Sequence, residues 1–364
     1  MPGNYSYLED FILSSQEAYL DRPGIMGSTA PTATHEEGGD MSLTGHLTSP
    51  DSPIRRYLED SFPIIEGSKR GRPLAKQYSS LLGFDKLPDC KLPTLAPKSH
   101  QGTIGTAVDY RLRYYFQAYD SNETVAGHAV RELDGKARTV GRRFVDYQNG
   151  LVARLSPVDR QLDSEDESDL NTGCVILAWF EQIFRTGEIS PEFDRLLRQG
   201  EVDALIAAVK QNVVQDISQL STAFATDAKH LFNLDSILNP TFKGSLDVDG
   251  ADADIIVDKM LIDFKCTSEV DAKKLRSAAL QLLGYVLLDY DGEYAISDLV
   301  VYFPRQRSSW RAPLWHFVLP PADVIHALSR GNIEGTETLM KRRLRKLRQD
   351  FRKIAQSSGS CLSG

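Results

Sequence analysis

Cysteine is scarce in this chain. The four, Cys90, Cys174, Cys266 and Cys361, are widely scattered and form no CxxC pair. That pattern argues against a disulfide framework and a zinc site, and it fits a reducing compartment. No run of about 18 or more apolar residues occurs, so no transmembrane helix is expected. The N-terminus shows no basic region followed by an apolar core, so no secretory signal is expected. The expectation is a cytoplasmic protein with no membrane partner. Walker A, Rossmann glycine and GxSxG patterns are missing, which leaves NTPase, dehydrogenase and α/β-hydrolase chemistry without support. His35-Glu36 is not followed by the second histidine of an HExxH motif. Basic charge is in deficit overall: 42 Lys and Arg face 50 Asp and Glu, a net −8. A generic nucleic-acid binder has the opposite balance, so the distribution of charge matters more than its sum.

What the chain does have is concentrated in residues 244–285. Residues 253–257 and 260–266 are two short apolar runs separated only by Asp258-Lys259. That spacing predicts a β-hairpin with a two-residue loop, although Asp-Lys is a weaker turn pair than Asn-Gly. Such a loop fixes the register: Val257 faces Met260, Ile256 faces Leu261, Ile255 faces Ile262 and Asp254 faces Asp263. Side chains alternate along a strand, so Asp263 and Lys265 share one face, with Ile262, Phe264 and Cys266 on the other. Two carboxylates directly opposite each other repel. A divalent cation is the natural compensation, and Mg²⁺ needs few protein ligands because it keeps much of its water.

Asp254, the turn, and then Asp263-Phe264-Lys265 resemble the core of the PD-(D/E)xK nuclease superfamily, most closely its RecB-type branch. In that branch the following helix carries Gln and Tyr four residues apart, and Gln281 and Tyr285 have that spacing here. The resemblance covers residues 239–305. It implies a mixed central sheet of restriction-endonuclease-like type flanked by helices. It also implies a Mg²⁺ or Mn²⁺ site formed by Asp254, Asp263 and the main-chain carbonyl of Phe264. Lys265, Gln281 and Tyr285 would complete the catalytic set. An early helix of that branch often carries Gly, three residues and then a metal-proximal His. Gly105 and Asp109 keep the spacing with Asp in place of His, which makes Asp109 an accessory ligand or simply a first-turn acid of a helix. Branch members with a cysteine-held iron–sulfur cluster have several C-terminal cysteines; Cys361 stands alone, so no cluster is expected. The implied activity is phosphodiester hydrolysis, most directly of DNA, in restriction, phage defence, repair or recombination, with a protein partner such as a helicase. A catalytically silent nucleic-acid-binding module is the alternative.

The remaining chain divides by composition. Residues 1–53 read as a flexible arm: 7–20 could form an amphipathic segment, and 21–53 are rich in Gly, Ser, Thr and Pro, with His35 and His46 as solvated loop residues. Residues 54–235 read as mainly helical, with a basic run at 68–72, a helix opening at Gly105, helical residues 123–155, an acidic loop at 159–169 and helices through 175–185 and 191–231. Residues 236–330 form the α/β core, with strands expected at 241–246, 296–303 and 314–319 and a short helix at 322–328. Residues 331–364 hold a basic amphipathic helix, 336–356. Its bases, Lys341, Arg342, Arg343, Arg345, Lys346, Arg348, Arg352 and Lys353, suit a phosphate backbone or a solvated face. The acids Asp247, Asp249, Asp252, Asp254 and Asp258 do not make an EF-hand: Gly250 sits at loop position 4 rather than 6 and no Glu falls at 12.

Overall fold

A computed structural model describes residues 42–62, 80, 82–84, 91–155, 162–330 and 336–360. The expected segment at 7–20, His35 and the basic run at 68–72 lie outside the described residues. The described residues all belong to one compact unit, Asp40–Gly364. Helices α1 (Leu43–Thr48) and α2 (Pro53–Ser61) each start on a serine whose hydroxyl caps the first turn, Ser42 for α1 and Ser52 for α2.

Helices α3 (Gln101–Arg113), α4 (Val125–Glu132), α5 (Gly135–Leu155), α6 (Ser164–Thr186), α7 (Pro191–Gln199), α8 (Val202–Ala208) and α9 (Gln211–Asp227) make the N-terminal half helical, as expected. A five-stranded sheet follows: β1 (Ser236–Leu238), β2 (Ile255–Val257), β3 (Met260–Phe264), β4 (Asp298–Phe303) and β5 (Ser308–Pro313), in that spatial order. Among the described residues only the β3–β4 pair is parallel, and helix α10 (Ala272–Leu288) makes the crossover between these strands. Helices α11 (Trp315–Val318), α12 (Pro321–Arg330) and α13 (Thr336–Ser360) end the described chain.

Alternation along the hairpin divides the apolar core in two. Ile255, Val257, Met260, Ile262 and Phe264 pack with the helical half. Ile256 and Leu261 pack with α10, α1, α2 and α13 on the other face. The hairpin register is the expected one, Val257 with Met260, Ile256 with Leu261 and Ile255 with Ile262. Asp258 and Lys259 both take positive φ, 43° and 66°, as a tight two-residue hairpin turn requires.

Several boundaries differ from expectation. No strand forms at 241–246. The Ser245 hydroxyl accepts from the Phe242 N–H and donates to the Ala251 carbonyl, closing a local turn, and Ser245–Val248 is a 3₁₀ turn. The first strand is instead Ser236–Leu238. Residues 314–319 are not a strand: Pro313 closes β5 and Trp315–Val318 is helical. In the acidic stretch, residues 164–169 are helix and not loop, because Asp163 caps α6 and Glu165, Asp166 and Glu167 occupy its first turn, where acids are favoured, while 159–161 lie outside the described residues. Residues 123–155 split into two helices at Leu133, with Gly135 at φ +50°. Helix α3 starts four residues before Gly105, so Asp109 is an interior residue of that helix and not a first-turn acid. His46 is buried, and its Nδ1 shares a 3.1 Å hydrogen bond with Ser52 Oγ, so it is no solvated loop residue.

Candidate active site

The site is built at the open end of the β2–β3 hairpin. The chain enters β2 through Asp254, and the Asp254 Oδ2 accepts the Phe264 N–H at 2.6 Å, which ties the start of one strand to the end of the other. Asp263, on β3, is 2% exposed and faces the α10 side. Its Oδ1 accepts from Lys265 Nζ at 3.0 Å, and the same ammonium stands 2.9 Å from the buried Oδ2 as an ion pair. The Lys265 N–H donates to the Tyr302 carbonyl at 2.9 Å, which extends the β3–β4 pairing and holds the lysine in line with Asp263.

Helix α10 supplies the next layer. Asp271 caps it by accepting the Lys274 N–H at 2.7 Å. Gln281 and Tyr285 stand one turn apart. Gln281 Oε1 accepts from Lys265 Nζ at 3.0 Å, and its Nε2 donates to the Tyr285 hydroxyl at 2.8 Å. Thus Asp254, Asp263, Lys265, Gln281 and Tyr285, five residues spread over 254–285, form one contiguous polar cluster.

Charge is strongly perturbed here. Burial, with repulsion from Asp254, pushes the Asp263 carboxyl up to about 7 despite the pull of Lys265. Burial works against the Lys265 ammonium, but Asp263, Asp254 and Asp109 outweigh it, so its pKa rises and the group stays charged. Burial first, then Asp263 and Asp254, raises the Tyr285 hydroxyl, which therefore stays neutral.

Asp109 reaches this cluster electrostatically, but its carboxylate is committed elsewhere. Arg113, at i+4, donates through Nε to Oδ1 at 2.9 Å and through Nη2 to Oδ2, and its Nη1 donates to Asn239 Oδ1. The Asn239 N–H in turn donates to the Asp254 carbonyl. Arg113 thereby fastens helix α3 to the β1–β2 connection. Burial and the charges of Asp254 and Glu181 hold the Asp109 pKa well above the usual carboxylate range, with Arg113 opposing.

Four contributors escape a reading of the sequence. Glu181 on α6 is buried, accepts from the Tyr110 hydroxyl at 2.6 Å and pairs with Arg185. Arg185 and Arg113 act on Asp252, which is exposed to solvent yet enclosed enough for burial to raise its carboxyl pKa. Thr44 of α1 accepts a 3.4 Å hydrogen bond from Gln281. The Glu181–Arg185 spacing of four was a usable signal on a helix; nothing local marks Thr44 or Asp252.

Among the described residues no three His, Cys, Asp or Glu side chains converge as a ready ion cage. The donors that the structure brings together at the hairpin are the carboxylates of Asp254 and Asp263. That hard-oxygen set fits a cation that retains most of its water, and Asp263 Oδ2, buried with no well-directed hydrogen bond although Lys265 Nζ lies 2.9 Å away, is an acceptor such an ion can share. Comparison of the chain with family models, curated proteins and solved structures finds no match.

Proposed function

We propose that the chain is a Mg²⁺- or Mn²⁺-dependent phosphodiesterase acting on DNA, with a core of restriction-endonuclease-like, PD-(D/E)xK type. The observation that carries this reading is the convergence of Asp254, Asp263, Lys265 and Gln281 at one end of a hairpin. Asp254, Asp263 and the Phe264 carbonyl would hold the cation. A bound divalent ion neutralises charge at a phosphate and lowers the pKa of a water ligand.

The chain's own residues do the rest. Lys265 remains protonated, so it donates: it orients an attacking water and stabilises charge growing on the phosphoryl oxygens. Gln281 aims Lys265 through Oε1 and is itself held by Tyr285 and Thr44. The Asp109–Arg113–Asn239 chain keeps the helical half fixed to the hairpin, which makes Asp109 a positioning residue in this scheme. Roles in restriction, phage defence or repair, and a helicase-like partner, accord with the resemblance and follow from the same reading.

The test is incubation of purified chain with circular, linear and single-stranded DNA in Mg²⁺, Mn²⁺ or EDTA. Cleavage is expected with either metal and none in EDTA. Asp263→Ala or Lys265→Ala should slow cleavage by roughly 100-fold or more while the chain stays folded. Full activity in either variant would remove the residue assignment. Absence of cleavage with both metals would leave the catalytically silent, binding-only alternative.

A further inference from the structure

Helix α13 carries a feature that hydrolysis at the hairpin does not use. Eight Lys or Arg and two acids lie in residues 336–360 of a chain whose total charge is −8. One side of the helix is committed to the core through Leu344, Phe351 and Ala355. Arg348 anchors it by donating to the Val286 carbonyl and to Asp289, so α13 is fastened to α10, the helix that carries Gln281 and Tyr285. Lys341 pairs with Glu337, Lys353 pairs with Asp350, and Arg352 lies over the Tyr290 ring.

The outward side is different. Arg342, Lys346, Gln349 and Lys353 follow one another at spacings of four, three and four, with Arg345 beside them, and all are exposed. Asp350, which pairs with Lys353 at the far end, is the one acid within 342–353. Among the described residues no acid lies within ion-pair distance of Arg342, Arg345 or Lys346. Lys341 with Arg345, and Arg342 with Lys346, are like-charge pairs at i+4, an arrangement that weakens a helix. Fold stability alone would favour alternating signs, so the ridge is matched to negative charge from outside the chain. At about 1.5 Å per residue it runs about 17 Å. Phosphates recur every 3.4 Å along each strand of a duplex, so about five lie along the ridge, enough for one contact from each of its four bases. A membrane surface fits less well: interfacial helices insert apolar side chains, and here Leu344, Phe351 and Ala355 are already buried against the core, leaving only Leu339 exposed among the large apolar side chains of α13.

We propose that the ridge formed by Arg342, Arg345, Lys346 and Lys353 is a docking surface for the phosphate backbone of duplex DNA. The choice of DNA rests on the nuclease reading; the charge argument does not. The test uses the full chain and an R342Q/R345Q/K346Q/K353Q variant, since glutamine keeps helix propensity. Binding of a fluorescent duplex of mixed sequence is followed by anisotropy in EDTA from 50 to 200 mM salt, where no turnover occurs.

About four phosphate contacts give a slope of log affinity on log salt near −3.6, or about 150-fold over that range. The variant should lose that slope while its thermal melting stays that of the wild type. An unchanged slope, or no duplex binding by the wild type at 50 mM salt, overturns the proposal. So does a variant that loses binding to phosphatidylserine vesicles but keeps its DNA affinity. Cleavage with an unchanged slope would sink the ridge and spare the nuclease; a lost slope with no cleavage would do the reverse.

Discussion

Asp263→Asn is expected to make the metal-free chain more stable while it removes the cation site. The wild-type carboxyl is 2% exposed, has Lys265 within 3.0 Å of both its oxygens and stands near a second carboxylate. Its pKa in the fold is about 7 against an ordinary 3.8. The sign follows directly. Between pH 4 and 7 the folded chain holds a proton that the unfolded chain has released, so stability falls as pH rises through that window. A factor of ten in proton affinity is about 1.4 kcal/mol, which sets a ceiling of about 4 kcal/mol at pH 8. Asn keeps an acceptor for Lys265 but weakens that pair, so the net gain should be about 1–3 kcal/mol. Urea unfolding in EDTA at pH 5 and pH 8 measures both terms. The variant should gain at pH 8, show little difference at pH 5, and fail to be stabilised when Mg²⁺ is added, whereas the wild type should be. A variant less stable than wild type at pH 8 in EDTA would refute the reasoning.

Three further outcomes follow from the packing. Arg305 and Asp216 form a bidentate pair at 3.1 Å with both side chains fully buried, so Asp216→Ala should cost about 3–5 kcal/mol, and the double change D216L/R305M should recover most of it; a double variant no better than the single would contradict this. Burial lowers the His316 pKa to about 4, and neither ring nitrogen has a hydrogen-bond partner. Stability tied to His316 is therefore lost as pH falls from about 6.5 to about 4, by about 3 kcal/mol in all, and His316→Leu should flatten that part of the urea-unfolding profile. Leu43 is buried on α10, where a Cβ at Gly284 would come within 3.0 Å of it. Leu43→Ala should cost about 2–5 kcal/mol in the same assay.

The hairpin was legible because its information is local. A two-residue loop and alternating side chains fix register and facing together, and Asp258 and Lys259 adopted the required backbone even without Asn or Gly. The Gln281–Tyr285 pair was legible by helical spacing. What stayed hidden depends on contacts distant in sequence or on side chains that redirect the backbone. Ser245 took the hydrogen bonds that a strand at 241–246 would have used. Thr44 meets Gln281 only because α1 folds back over α10. The Asp109–Arg113 spacing was readable, but its tie to Asn239, which turns Asp109 from a free ligand into part of a brace, comes only from the fold.

Titration of Mn²⁺ into the chain, followed by loss of the free-ion electron paramagnetic resonance signal, tests the central claim most directly. Wild type should bind the ion, and Asp254→Asn and Asp263→Asn should each weaken binding at least 10-fold, while Asp109→Asn, whose carboxylate is held by Arg113, should weaken it less. Unaltered Mn²⁺ binding in both hairpin variants would place the cation elsewhere and contradict the account.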